Sequence, residues 1–142
     1  MTALLGVLVG ALVAASAQLW VRRSQTRERW LAELLGRCTE IYALESAFRG
    51  RAFDAVRDPD HAAQPWSTER RREAEAAVFL LTTDARLTES VEELGRAGRA
   101  MNQAIRDELD DDVFEERAAA HAAALLSFAD AARQALRHRR VL

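Results

Sequence analysis

The chain reads as all-α: an N-terminal transmembrane helix that continues into an antiparallel bundle of cytoplasmic helices. Three observations predict this. Helix breakers are scarce, with two prolines and six glycines in 142 residues. Apolar residues recur at spacings of three, four and seven along the chain. No charged side chain occurs before Arg22.

The first element is the uncharged run. Ala3 to Val21 spans 19 residues, or about 28 Å of helix against a hydrocarbon core of about 30 Å. Trp20 sits where an interfacial aromatic belongs. Arg22, Arg23, Arg27 and Arg29 follow, opposed only by Glu28. By the positive-inside rule the arginine side stays cytoplasmic and the amino terminus lies outside. Residues 1–21 are thus expected to anchor the chain in the cell membrane, and residues 22–142 to form the cytoplasmic domain. A cleaved signal peptide competes with this, because Ala15-Ser16-Ala17 fits a cleavage site before Gln18. The missing basic segment ahead of the run and the arginines behind it count against cleavage. Gly6, Gly10 and Ala14 form a ladder of small residues at intervals of four, a spacing that lets two membrane helices approach closely. Homo-oligomerisation through membrane or cytoplasmic helices is the expectation; this ladder is one candidate surface for it, although such ladders are also common in membrane helices that do not pair.

The second element covers about 22–57. Trp30, Leu34, Cys38, Ile41 and Phe48 share one face, with Leu31, Leu35 and Tyr42 beside it. Pro59 and Pro65 then end the helix and bound a loop, and Ser67 or Thr68 is placed to cap the next helix. Within that helix Arg70 to Arg72 reads as a solvated face paired with Glu69, Glu73 and Glu75.

Val78, Leu81, Leu87, Val91, Leu94, Met101 and Ile105 keep one apolar phase across Thr82 to Ala85. One kinked helix over about 68–109 is therefore expected. A full turn at 82–85, giving four helices, is the alternative. The last helix covers about 112–139, opened by Asp112 and Glu115 in a capping-box-like arrangement. Phe114, Leu125, Phe128, Ala132 and Leu136 supply its apolar face. Between Asp107 and Glu116 lie seven carboxylates and no base. With three long helices this acidic turn returns beside Arg22 to Arg29. With four helices the basic C-terminal tail does so instead. Relative helix lengths favour three.

Chemistry-bearing constellations are sparse. His61, His121 and His138 have no spacing that pairs them with Cys38 or a carboxylate, and no HxxxH or ExxH ligand pattern occurs. Cys38 falls on an apolar face, where a buried, inert thiol is expected. No phosphate-binding glycine loop is present. A non-enzyme without cofactor or metal is the expectation. Net charge is −2, and only the tail Arg137 to Arg140 is basic enough to suggest nucleic acid, too small a footprint to expect it as a partner. The expected partners are the lipid bilayer, a second copy and an unidentified protein. A secreted helical binding protein released near Ala17, or an accessory protein that captures a charged partner, are the alternatives.

All 20 basic residues outside histidine are arginine, a bias that points to a GC-rich, actinobacterium-like genome. The stretch "GVLVGALVAASAQLWVRRSQTRERWLAELLGRC" joins a short uncharged anchor directly to arginines and an amphipathic helix. In this layout the chain resembles the KilB-like proteins of Streptomyces conjugative plasmids, most specifically over its first 40 residues. The resemblance implies a role in plasmid transfer or spread. It carries no diagnostic motif, so it assigns no functional residue.

Overall fold

The computed structural model describes residues 2–58, 68–107 and 109–138, and leaves the side chains of 2–17, 19 and 20 undescribed. The described residues form four helices, joined by short non-helical segments: α1 (Thr2–Arg57), α2 (Thr68–Leu81), α3 (Ala85–Arg106) and α4 (Asp111–His138). The chain divides into two compact units, Met1–Glu33 and Leu34–Leu142. In the first unit the described backbone is α1 alone. Among the described residues no helix is long and apolar enough to cross a membrane. Most of the uncharged run expected to do so lies outside the described side chains.

The second unit is an up-down-up-down bundle. On α1 the buried positions are Leu34, Cys38, Ile41, Glu45, Phe48 and Ala52, alternating in steps of four and three. That rhythm keeps one stripe of the helix against its neighbours. The direction of each helix follows from which residues meet. Phe48 and Ala52 of α1 cluster with Met101 and Ala104 of α3 and with Phe114 and Ala118 of α4. Phe53 meets Phe114 edge-on, with ring centroids 5.3 Å apart. Cys38 shares a groove with Phe128, and Arg86, opening α3, bonds Gln134 near the end of α4. Hence α3 runs parallel to the bundle part of α1, and α4 runs back against both.

One long kinked helix over 68–109 is not what forms. The chain reverses at Thr82–Asp84, so the bundle has four helices rather than three. Short polar side chains make the turn. The Thr82 hydroxyl accepts a hydrogen bond from the Asp84 N–H at 3.1 Å. Asp84 takes an extended conformation (φ −72°, ψ 105°), and its carboxylate accepts from the Leu87 N–H at 3.1 Å. Such side chains offer the backbone an alternative to helical bonding, so a turn needs no glycine or proline. The apolar phase carries across because α2 and α3 bury their stripes in the same core.

The acidic turn also lies elsewhere than three helices predict. The Phe53–Phe114 contact sets it at the far end of the bundle, where α1 finishes. The basic end of α4 returns to the Leu34 end. The first bonds of α4 go to the Asp110 carbonyl, from the N–H groups of Val113 and Phe114. Asp112 thus lies inside the first turn, near the positive end of the helix dipole. The 14 residues of α2 span about 21 Å, roughly half the 42 Å of α4. Among the described residues, the half of the bundle nearer Leu34 therefore has four helices. At the other end three helices close over Phe48, Phe53 and Phe114.

Candidate functional site

The most unusual feature of the interior is charged. Glu45 of α1 and His121 of α4 are fully buried, and Arg71 of α2 is 3% exposed. All three occupy core-phase positions: Glu45 in the Leu34-to-Ala52 stripe, Arg71 with Ala74 and Val78, and His121 between Ala118 and Leu125. The helices' own apolar rhythm carries these polar groups inward. Once inside, they must satisfy one another, because an isolated buried charge is strongly disfavoured.

The Arg71 guanidinium bridges two carboxylates. Its Nε faces Glu45 Oε1, and its second terminal nitrogen is 2.7 Å from Glu75 Oε1. The other Glu45 oxygen lies 2.7 Å from His121 Nε2. The order is therefore imidazole, carboxylate, guanidinium, carboxylate, drawn from three helices. The fourth helix contributes an absence of side chain. A Cβ on Gly95 of α3 would come within 2.9 Å of Arg71, so glycine leaves the guanidinium its space. The Phe48 ring meets the His121 imidazole near-perpendicularly, with centroids 5.9 Å apart. Among the described residues no hydrogen-bond partner reaches His121 Nδ1. Burial pushes the Glu75 carboxyl above its usual range, against the lowering effect of Arg71 beside it.

Two expectations are corrected here. His121 does have a carboxylate partner, 76 positions away in sequence, a distance no local spacing can reveal. The Arg70–Arg72 turn is not uniformly solvated. Arg70 is exposed and paired with Glu40 at 3.2 Å, whereas Arg71 points into the core. The signal that could have found the cluster was present: three charged or polar residues at positions where an apolar stripe demands Leu or Ala.

Glu45, Arg71 and His121 are enclosed, and apart from His121 Nδ1 their polar atoms are directed at one another and at Glu75. The cluster can hold helices in alignment, but in this arrangement it presents no atom to a substrate. Among the described residues no group of three or more His, Cys, Asp or Glu is arranged to bind a metal ion.

A second candidate is open. Leu35, Cys38 and Tyr42 of α1 and Phe128, Ala132 and Leu136 of α4 line an apolar groove of about 180 Å³. Leu35 and Tyr42 are 50% and 41% exposed along it. Cys38 is buried, and burial pushes its thiol up to about 11. At neutral pH it stays protonated and is a poor nucleophile.

The residues singled out in sequence for membrane packing, Gly6, Gly10 and Ala14, and the anchor Trp20, lie on the helical backbone of α1, with side chains outside the described set. Arg22, Arg23 and Arg29 are exposed, and Arg27 is half-buried. His61 lies outside the described residues, and His138 is exposed at the end of α4. No protein-family model, curated protein or solved structure matches this chain.

Proposed function

We propose that this is a single-pass membrane protein without a reaction of its own, acting by self-association and by recruiting a partner to the cytoplasmic face. One observation carries the reading. A run of 19 uncharged residues meets four arginines within eight positions, on a helix that continues into a bundle. The open groove between α1 and α4 gives the bundle a surface on which another helix can lie. Self-association falls to the Gly6, Gly10 and Ala14 ladder in the lipid. The resemblance of the first 40 residues to KilB-like proteins suggests plasmid transfer or spread as the process served.

Fractionation with protease protection and intact-mass measurement tests the reading. The full-length chain is expected in the membrane fraction, resistant to carbonate extraction, with its C-terminal domain digested only when the cytoplasmic side is opened. A soluble, extracellular form beginning near Gln18 would replace this function with that of a secreted helical binding protein.

A further inference from the structure

The charged layer has a line along which it can divide. Arg71 and Glu75 belong to one helix, four positions apart, and their charges meet at 2.7 Å. Glu45 of α1 and His121 of α4 also meet at 2.7 Å. An ion pair from Arg71 Nε to Glu45 Oε1 joins the two halves. When α2 moves away, Arg71 travels with Glu75. Glu45 keeps His121, and water reaches its freed oxygen. Neither charge is left both buried and alone, the state that makes breaking such a pair costly. Arg70 also reaches Glu40 of α1 at 3.2 Å, an exposed pair of the kind that contributes little.

Apolar burial holds α2 less than its neighbours. Of its 14 residues it buries Arg71, Ala74 and Val78, and the two apolar ones are small. Leu81 is half-buried, while Phe79 and Leu80 are 41% and 89% exposed. The other three helices close a core without it. Phe48, Met101 and Phe114 cluster with Ala52, Ala104 and Ala118, and no residue of α2 takes part. The α2–α3 turn divides in the same way. The Thr82 N–H closes α2 on the Val78 carbonyl, and the Asp84 carboxylate caps α3 through the Leu87 N–H. A further bond links them, from the Asp84 N–H to the Thr82 hydroxyl. Thus α3 keeps its cap when α2 leaves.

We propose that α2 is a lid on a three-helix core: pinned through Arg71 against Glu45, it swings out about Thr82–Asp84 as one unit while α1, α3 and α4 stay packed. Opening parts the charged layer between Arg71 and Glu45 and uncovers the α1–α3 seam around Glu45 and Gly95. A free helix of this length is marginal in water, so α2 melts as it opens. The lid belongs to the bundle alone and is independent of membrane anchoring.

Native-state hydrogen exchange on the full-length chain in detergent micelles, across sub-denaturing urea, tests this. Amides 72–81 are expected to exchange through an opening about tenfold or more as frequent as that of the slowest amides in α3 and α4, with a shallower urea dependence because less surface is exposed. Gly95→Ala is the discriminating variant. It places a better helix former in α3, but its Cβ would come within 2.9 Å of Arg71. Opening of α2 is expected to rise several-fold while α3 and α4 keep or gain protection. Glu45→Gln removes the charge that pins Arg71, and should raise α2 opening by about tenfold, with a smaller change in the slowest amides of α3 and α4. Exchange of all four helices through one opening, with one urea dependence, would overturn the lid. So would a Gly95→Ala variant that leaves α2 exchange unchanged, or that loosens α3 and α4 as much as α2.

Discussion

Two neighbouring layers of the bundle solve the same packing problem with opposite chemistry. One is apolar: Phe48, Ala52, Met101, Ala104, Phe114 and Ala118, with Phe53 and Ile105 against them. The next is charged: Glu45, Arg71, Glu75 and His121, with Gly95 making room. The apolar layer gains from burial in any arrangement that excludes water. The charged layer pairs its charges in one alignment, because a shift of one residue on α1, α2 or α4 strands a buried charge. It is built from α1, α2 and α4, and it is where the short helix α2 joins the core. Stability drawn from the first layer is therefore tolerant, and that drawn from the second is specific. In the charged layer each group keeps its place because its partners do.

The sharpest way to break this comparison is to remove one charge. Arg71→Met leaves Glu45 without its guanidinium, and breaking a buried pair in this way costs about 3–5 kcal/mol. Urea denaturation is expected to show that loss. Replacing the three fully buried members together, as Glu45→Leu, Arg71→Met and His121→Leu, with half-buried Glu75 left to solvent, is expected to recover most of it, since well-packed apolar side chains often match a buried ion pair. If the triple variant is no more stable than Arg71→Met, the cluster contributes more than mutual charge compensation.

The apolar layer responds differently. Phe114→Ala is expected to cost about 3 kcal/mol, at the low end for such truncations, because Phe114 adjoins the α3–α4 turn and the site can partly collapse. No companion substitution in the charged layer should rescue it, and the loss should be the same at mildly acidic and mildly alkaline pH.

The smallest effect sharpens the electrostatic side. Burial holds the Glu75 carboxyl above its ordinary value. A folded-state pKa above the unfolded one means that the native state binds the proton more tightly. Stability from this group is therefore fully present below the ordinary carboxylate pKa and is lost as pH rises through the raised one. Glu75→Gln is expected to remove that component and flatten the stability profile just above the ordinary carboxylate range. Arg71→Met should steepen it, because Arg71 opposes the upward shift. A wild-type profile already flat across that window would show that the pairing with Arg71 fully offsets burial.

Much of the bundle was legible in the sequence. On the inner face expected for the first helix, Trp30 is half-buried and Leu34, Cys38, Ile41 and Phe48 are buried. So are Val78, Leu87, Val91, Leu94 and Met101, and Phe114, Leu125, Phe128 and Ala132 on the last helix. Local apolar rhythm reports these because it records which side of a helix avoids water. The reversal at Thr82 to Asp84 escaped because that rhythm is blind to direction. Two helices that bury their stripes in one core keep phase as well as one continuous helix does. What distinguishes them is a hydroxyl and a carboxylate bonding to backbone N–H groups, which residue type permits but does not compel.

The charged layer escaped for a different reason. Glu45, Arg71 and His121 sit in apolar phase, and that much a sequence can show. That they meet depends on the order and direction of four helices.

By itself the sequence determined the helical class, the inward faces and the uneven distribution of charge along the chain. Each follows from side-chain chemistry acting over a few residues. Only the tertiary structure decided the number of helices and the partners of the buried charges. Those depend on where the chain turns back, and in this bundle that was settled by two short polar side chains and by which distant groups could satisfy one another in the core.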